Sequence, residues 1–582
     1  MTMVAQPKSS MMAKNKKTSF CAMPLVGIVA VLFVFHLAIS AETGSAQKRG
    51  QTKAVETWRR LPPKSDATRP FNPPPVRKAK LENGLTVLLI EDHRSPIVSM
   101  LIGIPLALEP TEDLASLTNQ IAIAEATAEL ITEGASSRNA EQVAREVETL
   151  GGKLSTTAND DFAEVNVSVV AENAERMLDL VGDVLLRPTF PEEEVALYKR
   201  NRIQNVVVQR QDPSFLAGEQ FDRVVYGKHR YAISAPTPAS IEQLDRNKLA
   251  EFHRSHFGVE KSVAVVVGDF EPGKLERKVR EIFSQWKEPQ KLTAPSRAPA
   301  ELSRENRRQI FLIDRPGSEQ ADFRIGTLAV RRSDPAYFPL LVANSILGAG
   351  TSSRLFLNIR ERKGYAYDVY SSVGSLRFGG SFYGGAETRT EVTSRAINEM
   401  LAEFDRLRDV KVGPQELQNA KNYLNGLFSL SLSAQGGIAE RMVQEYMLDL
   451  PHGYLESYRS KIQSVTAEQV QEVARKYIST DRPVIVVVGD ASKLARDLRT
   501  IGQVLVLDIE GKPVKRASSF LSPISPSRSV LFHVTWARTL WRPLYAQQSS
   551  RRMIEELLST DWRSICHRRP QIDRNEARGK SS

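Results

Sequence analysis

Two stretches of this chain match at a constant offset, and that match limits the possible fold more than any other feature. The first runs Leu244, Leu249, Phe252, Phe257 and then Val263–Asp269 (VAVVVGD). The second runs Val465, Val470, Val473, Ile478 and then Val484–Asp490 (VIVVVGD), every pair 221 residues apart. Each copy reads as a helix with apolar spacing of three to five, a buried strand of β-branched residues, and a Gly-Asp turn. A further helix is expected after each strand, near Leu275–Phe283 and Leu494–Ile501. A short apolar strand recurring by chance would not hold register through the helix before it. By length alone, 582 residues would divide into three or four domains of about 150. The repeat instead predicts a body of two tandem homologous α+β domains, 77–286 and 308–508, joined by a Pro- and charge-rich linker at 287–307. Strands and helices do not alternate strictly, so mostly antiparallel or mixed sheets are expected, with helices on one face.

Composition narrows the function classes. A hydrophobic fraction of 41% with 25% charged residues supports a sizeable core and excludes a mostly disordered chain. The net charge of +11 invites a nucleic-acid reading, but the charge sits at the ends. Residues 1–46 carry +3 and residues 517–582 carry +6, which leaves +2 for the body and removes the basic footprint that nucleic acid requires. The two cysteines, Cys21 and Cys566, offer neither a disulfide framework nor a cysteine zinc site.

The N-terminus reads as an export signal. Lys14, Lys16 and Lys17 precede an apolar run from Leu25 to Ile39, and small residues at Ala38 and Ser40, or Gly44 and Ala46, suit cleavage. The run is short for a span of about 20 residues, so a cleaved signal over 1–46 is favoured over an uncleaved anchor helix. Both place the body outside the cytoplasm, in the periplasm or tethered to the inner membrane. A Pro-rich spacer fills 47–76, and 517–582 is expected to be an appended, weakly ordered basic tail.

Few residues suggest chemistry by themselves. His253 and His256 form H-x-x-H on an expected helix, but Phe252 and Phe257 mark that side as apolar, so packing is favoured over metal binding. The Gly348–Ser353 stretch lacks the lysine of a phosphate loop and reads as a turn. The helix expected over Leu114–Gly134 carries Glu125 and Glu129 on one face, read as two solvated carboxylates.

Several segments together resemble the pitrilysin/insulinase family of zinc metallopeptidases. They are the opening LENGLTVLLIEDHRSPIVSMLIGI, Glu133-Gly134, Phe190-Pro191-Glu192, Tyr226–Tyr231, both VVVGD repeats, and Ser353-Arg354-Leu355 leading into RERKGYAYDVYS. The resemblance spans roughly 77–510 and implies two domains facing each other as half of a clamshell. Active members carry H-x-x-E-H, with two zinc-binding histidines and a glutamate base. Aligned on the following glycine, those positions hold Glu125, Ala128 and Glu129: glutamates replace both histidines and alanine replaces the base. The third ligand, a downstream glutamate, would fall near Tyr198–Val208, where no acidic residue occurs. The resemblance therefore implies a degenerate motif, no metal bound by this chain and no catalytic residue in isolation.

The second domain differs. Active members also use an Arg and a Tyr seven residues apart to grip the substrate and steady the oxyanion, and Arg360 and Tyr367 match that spacing. Tyr365 competes for the hydroxyl role. Some family members occur as pairs, one subunit keeping the zinc motif and the other the Arg/Tyr pair, and this chain resembles the second kind. The expectation is a non-catalytic subunit of an exported heterodimeric zinc peptidase. Its partners would be an H-x-x-E-H homologue, which supplies the zinc, and short unfolded peptides. One alternative is a structural or peptide-binding scaffold without turnover. Another is an atypical metal site using Glu125, Glu129 and His253 or His256.

Overall fold

The first domain opens with three strands, β1 (Val76–Lys80), β2 (Thr86–Glu91) and β3 (Ile97–Pro105). A helix over Leu114–Leu130 follows, then a two-residue ribbon of β4 (Gly134–Ala135) and β5 (Arg138–Asn139). After a helix at Ala140–Thr149 come β6 (Lys153–Ala158) and β7 (Phe162–Val170), helices at Ala174–Leu186, Glu192–Gln209, Pro213–Tyr226 and Arg246–His256, β8 (Val263–Gly268), and a helix at Pro272–Phe283. The second domain repeats the series with β9 (Gln309–Asp314), β10 (Gln320–Ala329), β11 (Ala366–Ser375), β12 (Gly380–Arg389) and β13 (Val484–Gly489), closing on β14 (Gln503–Leu507). The structure is a computed structural model that describes residues 74–288, except 109, 110 and 112, and residues 308–514. The expected signal, most of the spacer, nearly all of the linker and the basic tail lie outside the described residues.

The repeat is visible in the sheets. The first is ordered β1-β2-β8-β3-β7-β6 and the second β11-β12-β10-β13-β9-β14. Read from opposite ends, five strands correspond one to one. In both sheets the VVVGD strand lies parallel to one neighbour (β2 for β8, β9 for β13) and antiparallel to the other (β3 and β10). Only the sixth strand differs: β1 adds antiparallel to β2, whereas β14 adds parallel to β9. Both sheets are mixed, with most pairings antiparallel.

One expectation needs correction. The helices do not stay on one face, because each domain sends a helix across to the other domain's sheet. Pro213–Tyr226 packs on β10 and β13, and Gln435–Met447 packs on β3 and β8. This explains the unbroken apolar runs of the repeats, since a strand covered on both faces needs no polar alternation. In β8, Val263, Val265 and Val267 join the core built around Ile438, Val443 and Met447, while Ala264 and Val266 belong to the first domain's own core. In β13, Val484, Val486 and Val488 meet Leu216, Phe221 and Val225, while Ile485 and Val487 face their own helices.

Close approach also explains the glycine ending the first repeat strand. A Cβ on Gly268 would lie 2.3 Å from the Ile97 carbonyl oxygen on β3. The obstruction is backbone and cannot swing aside. On Gly489 a Cβ would meet the flexible Leu494 side chain at 2.8 Å. Gly268→Ala is therefore expected to destabilise the protein by about 2–4 kcal/mol, and Gly489→Ala by less. Urea unfolding of the two variants checks the order, and equal losses would contradict it.

Candidate functional site

The helix Leu114–Leu130 starts at Asp113, whose carboxylate accepts from the amides of Ala115 and Ser116. Ala122, Ala124, Ala126 and Ala128 are buried, letting the helix lie close to β6 and to the helix Arg246–His256. Ala128, at the position of a family base, is packed into the core and offers no proton acceptor.

Glu125 and Glu129 are not two solvated carboxylates. The Glu125 Oε2 lies 2.8 Å from Nη2 of Arg202, on the facing helix Glu192–Gln209. Burial pushes the Glu125 carboxyl above its usual range, and Arg202 pulls it back. Burial also raises Glu129, with Arg202 opposing and Glu125 adding like charge. Burial works against the Arg202 charge too, but Glu125 holds the guanidinium ionised above its ordinary value. Tyr198, one turn before Arg202, is kept protonated by burial and by both glutamates. A side-chain cation thus occupies the place between the helices. Among the described residues no three His, Cys, Asp or Glu side chains converge on one point, and the donors here do not fit zinc.

The histidines are structural, and the atypical metal site drawn from them is not assembled. His253 Nε2 bonds the Leu185 carbonyl at 2.9 Å, and burial holds its pKa down to about 4. His256 stacks on Phe252 at 4.0 Å.

Arg360 and Tyr367 are brought together. Arg360 lies in a π-helical turn, Phe356–Arg362, and Gly364 turns the chain into β11 with φ of +63°. The β11–β12 register shifts between Ala366 and Asp368, which lifts Tyr367 out of the ladder and leaves it 81% exposed. The Arg360 guanidinium carbon stands 4.6 Å from the ring centre of Phe356 and 5.0 Å from that of Tyr367. Tyr365 is instead packed against the second-domain core with Arg395 over its ring. Geometry therefore separates the two tyrosines, presenting Tyr367 and packing Tyr365.

Beside this pair, Asp322, Glu387 and Asp368 line up across β10, β12 and β11. Asp322 is buried, and burial pushes it up to about 7 against the pull of Arg324, with Asp212, Glu387 and Asp368 adding like charge. Neither this row nor Arg202 was visible in the sequence reading. Each rests on residues far apart in the chain and belongs to no short motif.

Two family models match the chain. Residues 123–234 match the model described as insulinase (peptidase family M16), and residues 243–424 match the peptidase M16 inactive domain. The chain belongs to the M16 family. The first match covers Glu125, Ala128, Glu129 and Arg202, and the second covers Arg360 and Tyr367. Among M16 relatives, a Mycobacterium leprae protein named an uncharacterized zinc protease is 26% identical, over 73% of this chain and 94% of that one. A Bacillus subtilis protein of the same description is 22% identical, over 70% and 96%. A solved M16 inactive domain from Pseudomonas fluorescens is similar with a TM-score of 0.65 and 26% identity, covering 71% of this chain and 98% of that one. A Helicobacter pylori protease shares the fold with a TM-score of 0.64 at 16% identity.

Two outcomes follow for this M16 chain. Arg202→Met strands Glu125 and should cost about 1–3 kcal/mol, while adding Glu125→Gln should recover most of it. Denaturant unfolding of single and double variants tests this, and additive losses would count against the pair. Asp322 is raised in the folded state, so its contribution is intact below pH about 4 and is lost as pH rises through about 7. Asp322→Asn should therefore stabilise the protein at pH 8 by about 2 kcal/mol and have little effect at pH 4. Thermal melts at both pH values check the sign.

Proposed function

We propose that this chain is the zinc-less subunit of an exported heterodimeric M16 peptidase, holding substrate peptide and lending Arg360 and Tyr367 to a partner's active site. The observation that carries the reading is the Arg360–Tyr367 pair, stacked at 5.0 Å and presented at the surface by a bulge. A purely structural protein has no need to keep an exposed tyrosine over an arginine at that spacing. The motif helix supports the same division of labour, since Arg202 sits against Glu125 and Ala128 carries no base.

The chemistry assigned to this chain is binding and charge stabilisation. The two flanking rings fix the plane of the Arg360 guanidinium, and the Tyr367 hydroxyl is free to turn toward a peptide carbonyl. Together they orient that carbonyl and stabilise the negative charge on its oxygen when it is attacked. Zinc bound in the partner, which carries H-x-x-E-H, would supply the activated water. Export rests on the apolar segment Leu25–Ile39. Among the described residues no helix is long and apolar enough to cross a membrane.

The test is cleavage of short unfolded peptides by this chain alone, by an H-x-x-E-H homologue alone, and by the two together, with zinc measured in each. Only the mixture should cleave at full rate, with one zinc per pair. Arg360→Ala in this chain should lower kcat by about 10²–10³. A mutant pair that cleaves at the unmodified rate would refute the assignment.

A further inference from the structure

The turn that carries Arg360 is held from behind by a row of polar groups that take no part in the chemistry assigned above. A π-helical turn is rare, so its shape must be fixed by what it packs against. In Phe356–Arg362 the wide turn closes with the Lys363 amide donating to the Asn358 carbonyl, five residues back, at 3.1 Å. Leu355 and Ile359 are fully buried and anchor the turn in the second-domain core. Asn358 is buried as well, at 6% exposure, and a polar side chain in that position needs partners.

It finds them on the helix Thr393–Asp409. Asn358 Nδ2 donates to Glu399 Oε2 at 3.0 Å and to Glu403 Oε1 at 2.9 Å. The two glutamates are four residues apart, so they share a face of that helix. One amide nitrogen with two N–H donors thus bridges two carboxylates, and each donor is spent. Glu403 is 1% exposed, and a carboxylate buried to that degree depends on its hydrogen bonds. Arg406 Nη1 lies 3.2 Å from Glu403 Oε1, and Lys363 Nζ lies 3.0 Å from Glu399 Oε1. Burial pushes Glu399 up, but the bonds from Lys363 and Asn358 hold it below the usual carboxylate range. Arg354 fixes the approach to the turn, with Nε and Nη2 each 2.8 Å from an oxygen of Glu416.

Arg360 has no anchor of this kind. Its guanidinium rests against the rings of Phe356 and Tyr367, and its contact with Glu361 is 3.7 Å long and open to solvent. Its aim is therefore inherited from the backbone two residues earlier, where Asn358 is tied down.

We propose that Asn358 is a positioning residue for Arg360: by bridging Glu399 and Glu403 it keeps the turn π-helical and holds the guanidinium over Tyr367. The reaction it serves is the one in the subunit reading above, on which this proposal rests, but the brace itself lies wholly within this chain.

The experiment has two readouts. In the first, the full chain alone, carrying ¹³C- and ¹⁵N-labelled arginine, is observed by NMR, with the Arg360 signals assigned by their loss in Arg360→Lys. The Arg360 Cδ protons should lie upfield of those of exposed arginines because of the two flanking rings. Asn358→Ala should move them toward the exposed position. Glu399→Ala, at a half-buried carboxylate, is the second variant and should move the same signals the same way. In the second readout each variant is paired with an H-x-x-E-H homologue, and cleavage of short unfolded peptides is measured. Asn358→Ala should lower kcat about tenfold to 10²-fold and change KM less than about threefold. Glu403→Gln keeps an acceptor for the amide and should lose less than about threefold. In an Arg360→Ala background Asn358→Ala should cost nothing further, whereas a general role in folding would lower activity in both backgrounds. The proposal is overturned if folded Asn358→Ala or Glu399→Ala leaves the Arg360 signals in place, or if Asn358→Ala lowers cleavage equally with and without Arg360. Cleavage at the unmodified rate by Arg360→Ala would instead refute the subunit reading, on which the NMR signals of the chain alone do not depend.

Discussion

The reciprocal exchange of helices between the two domains is the interaction on which the rest of the structure depends. Pro213–Tyr226 covers the open face of the second sheet, and Gln435–Met447 covers the open face of the first. Without them, the outward valines of β8 and β13 would face water, and neither repeat would have a closed core. The exchange makes two homologous domains one compact unit. It also brings Asp222 and Tyr226 against β10 and β12, which forms the cavity between the domains. Polar contacts mark the same seams: Gln435 Nε2 donates to the Asp92 carbonyl at 2.9 Å, and Arg324 reaches the Ser214 carbonyl at 3.2 Å.

The motif helix shows how buried acids on one helix are held by a cation on the helix facing it. Two facing helices carrying buried acids need a positive charge between them. Here Arg202 supplies it covalently, on the helix where the family resemblance places an acidic ligand. The Arg202–Glu125 pair ties the two helices together, and Ala128 on the motif helix is packed into the core. The second domain projects a cationic donor from a π-helical turn and a hydroxyl from a bulge.

Much of this was legible in the chain. The 221-residue offset located two homologous domains, because buried strands and their preceding helices carry strong local patterns. The seven-residue spacing of Arg360 and Tyr367 was legible through resemblance, and the register shift at Ala366/Asp368 gives it a geometric cause. The sequence reading failed on partners distant along the chain. Arg202 stands in a segment that draws notice only for lacking acids, and its partner is 77 residues away. Arg230 stands in the Tyr226–Tyr231 segment and Asp160 belongs to no motif, and only folding places them on one cavity.

The sequence by itself determined the elements, their duplication and which residues stand at the motif positions, since these depend on residue identity and short-range periodicity. The tertiary structure alone decided that each domain's helix covers the other's sheet, that Glu125 meets Arg202, and that Tyr367 rather than Tyr365 is presented to solvent. Those outcomes depend on which long-range contacts close the chain most favourably. Burial and charge balance set that choice across hundreds of residues, beyond the reach of any local pattern.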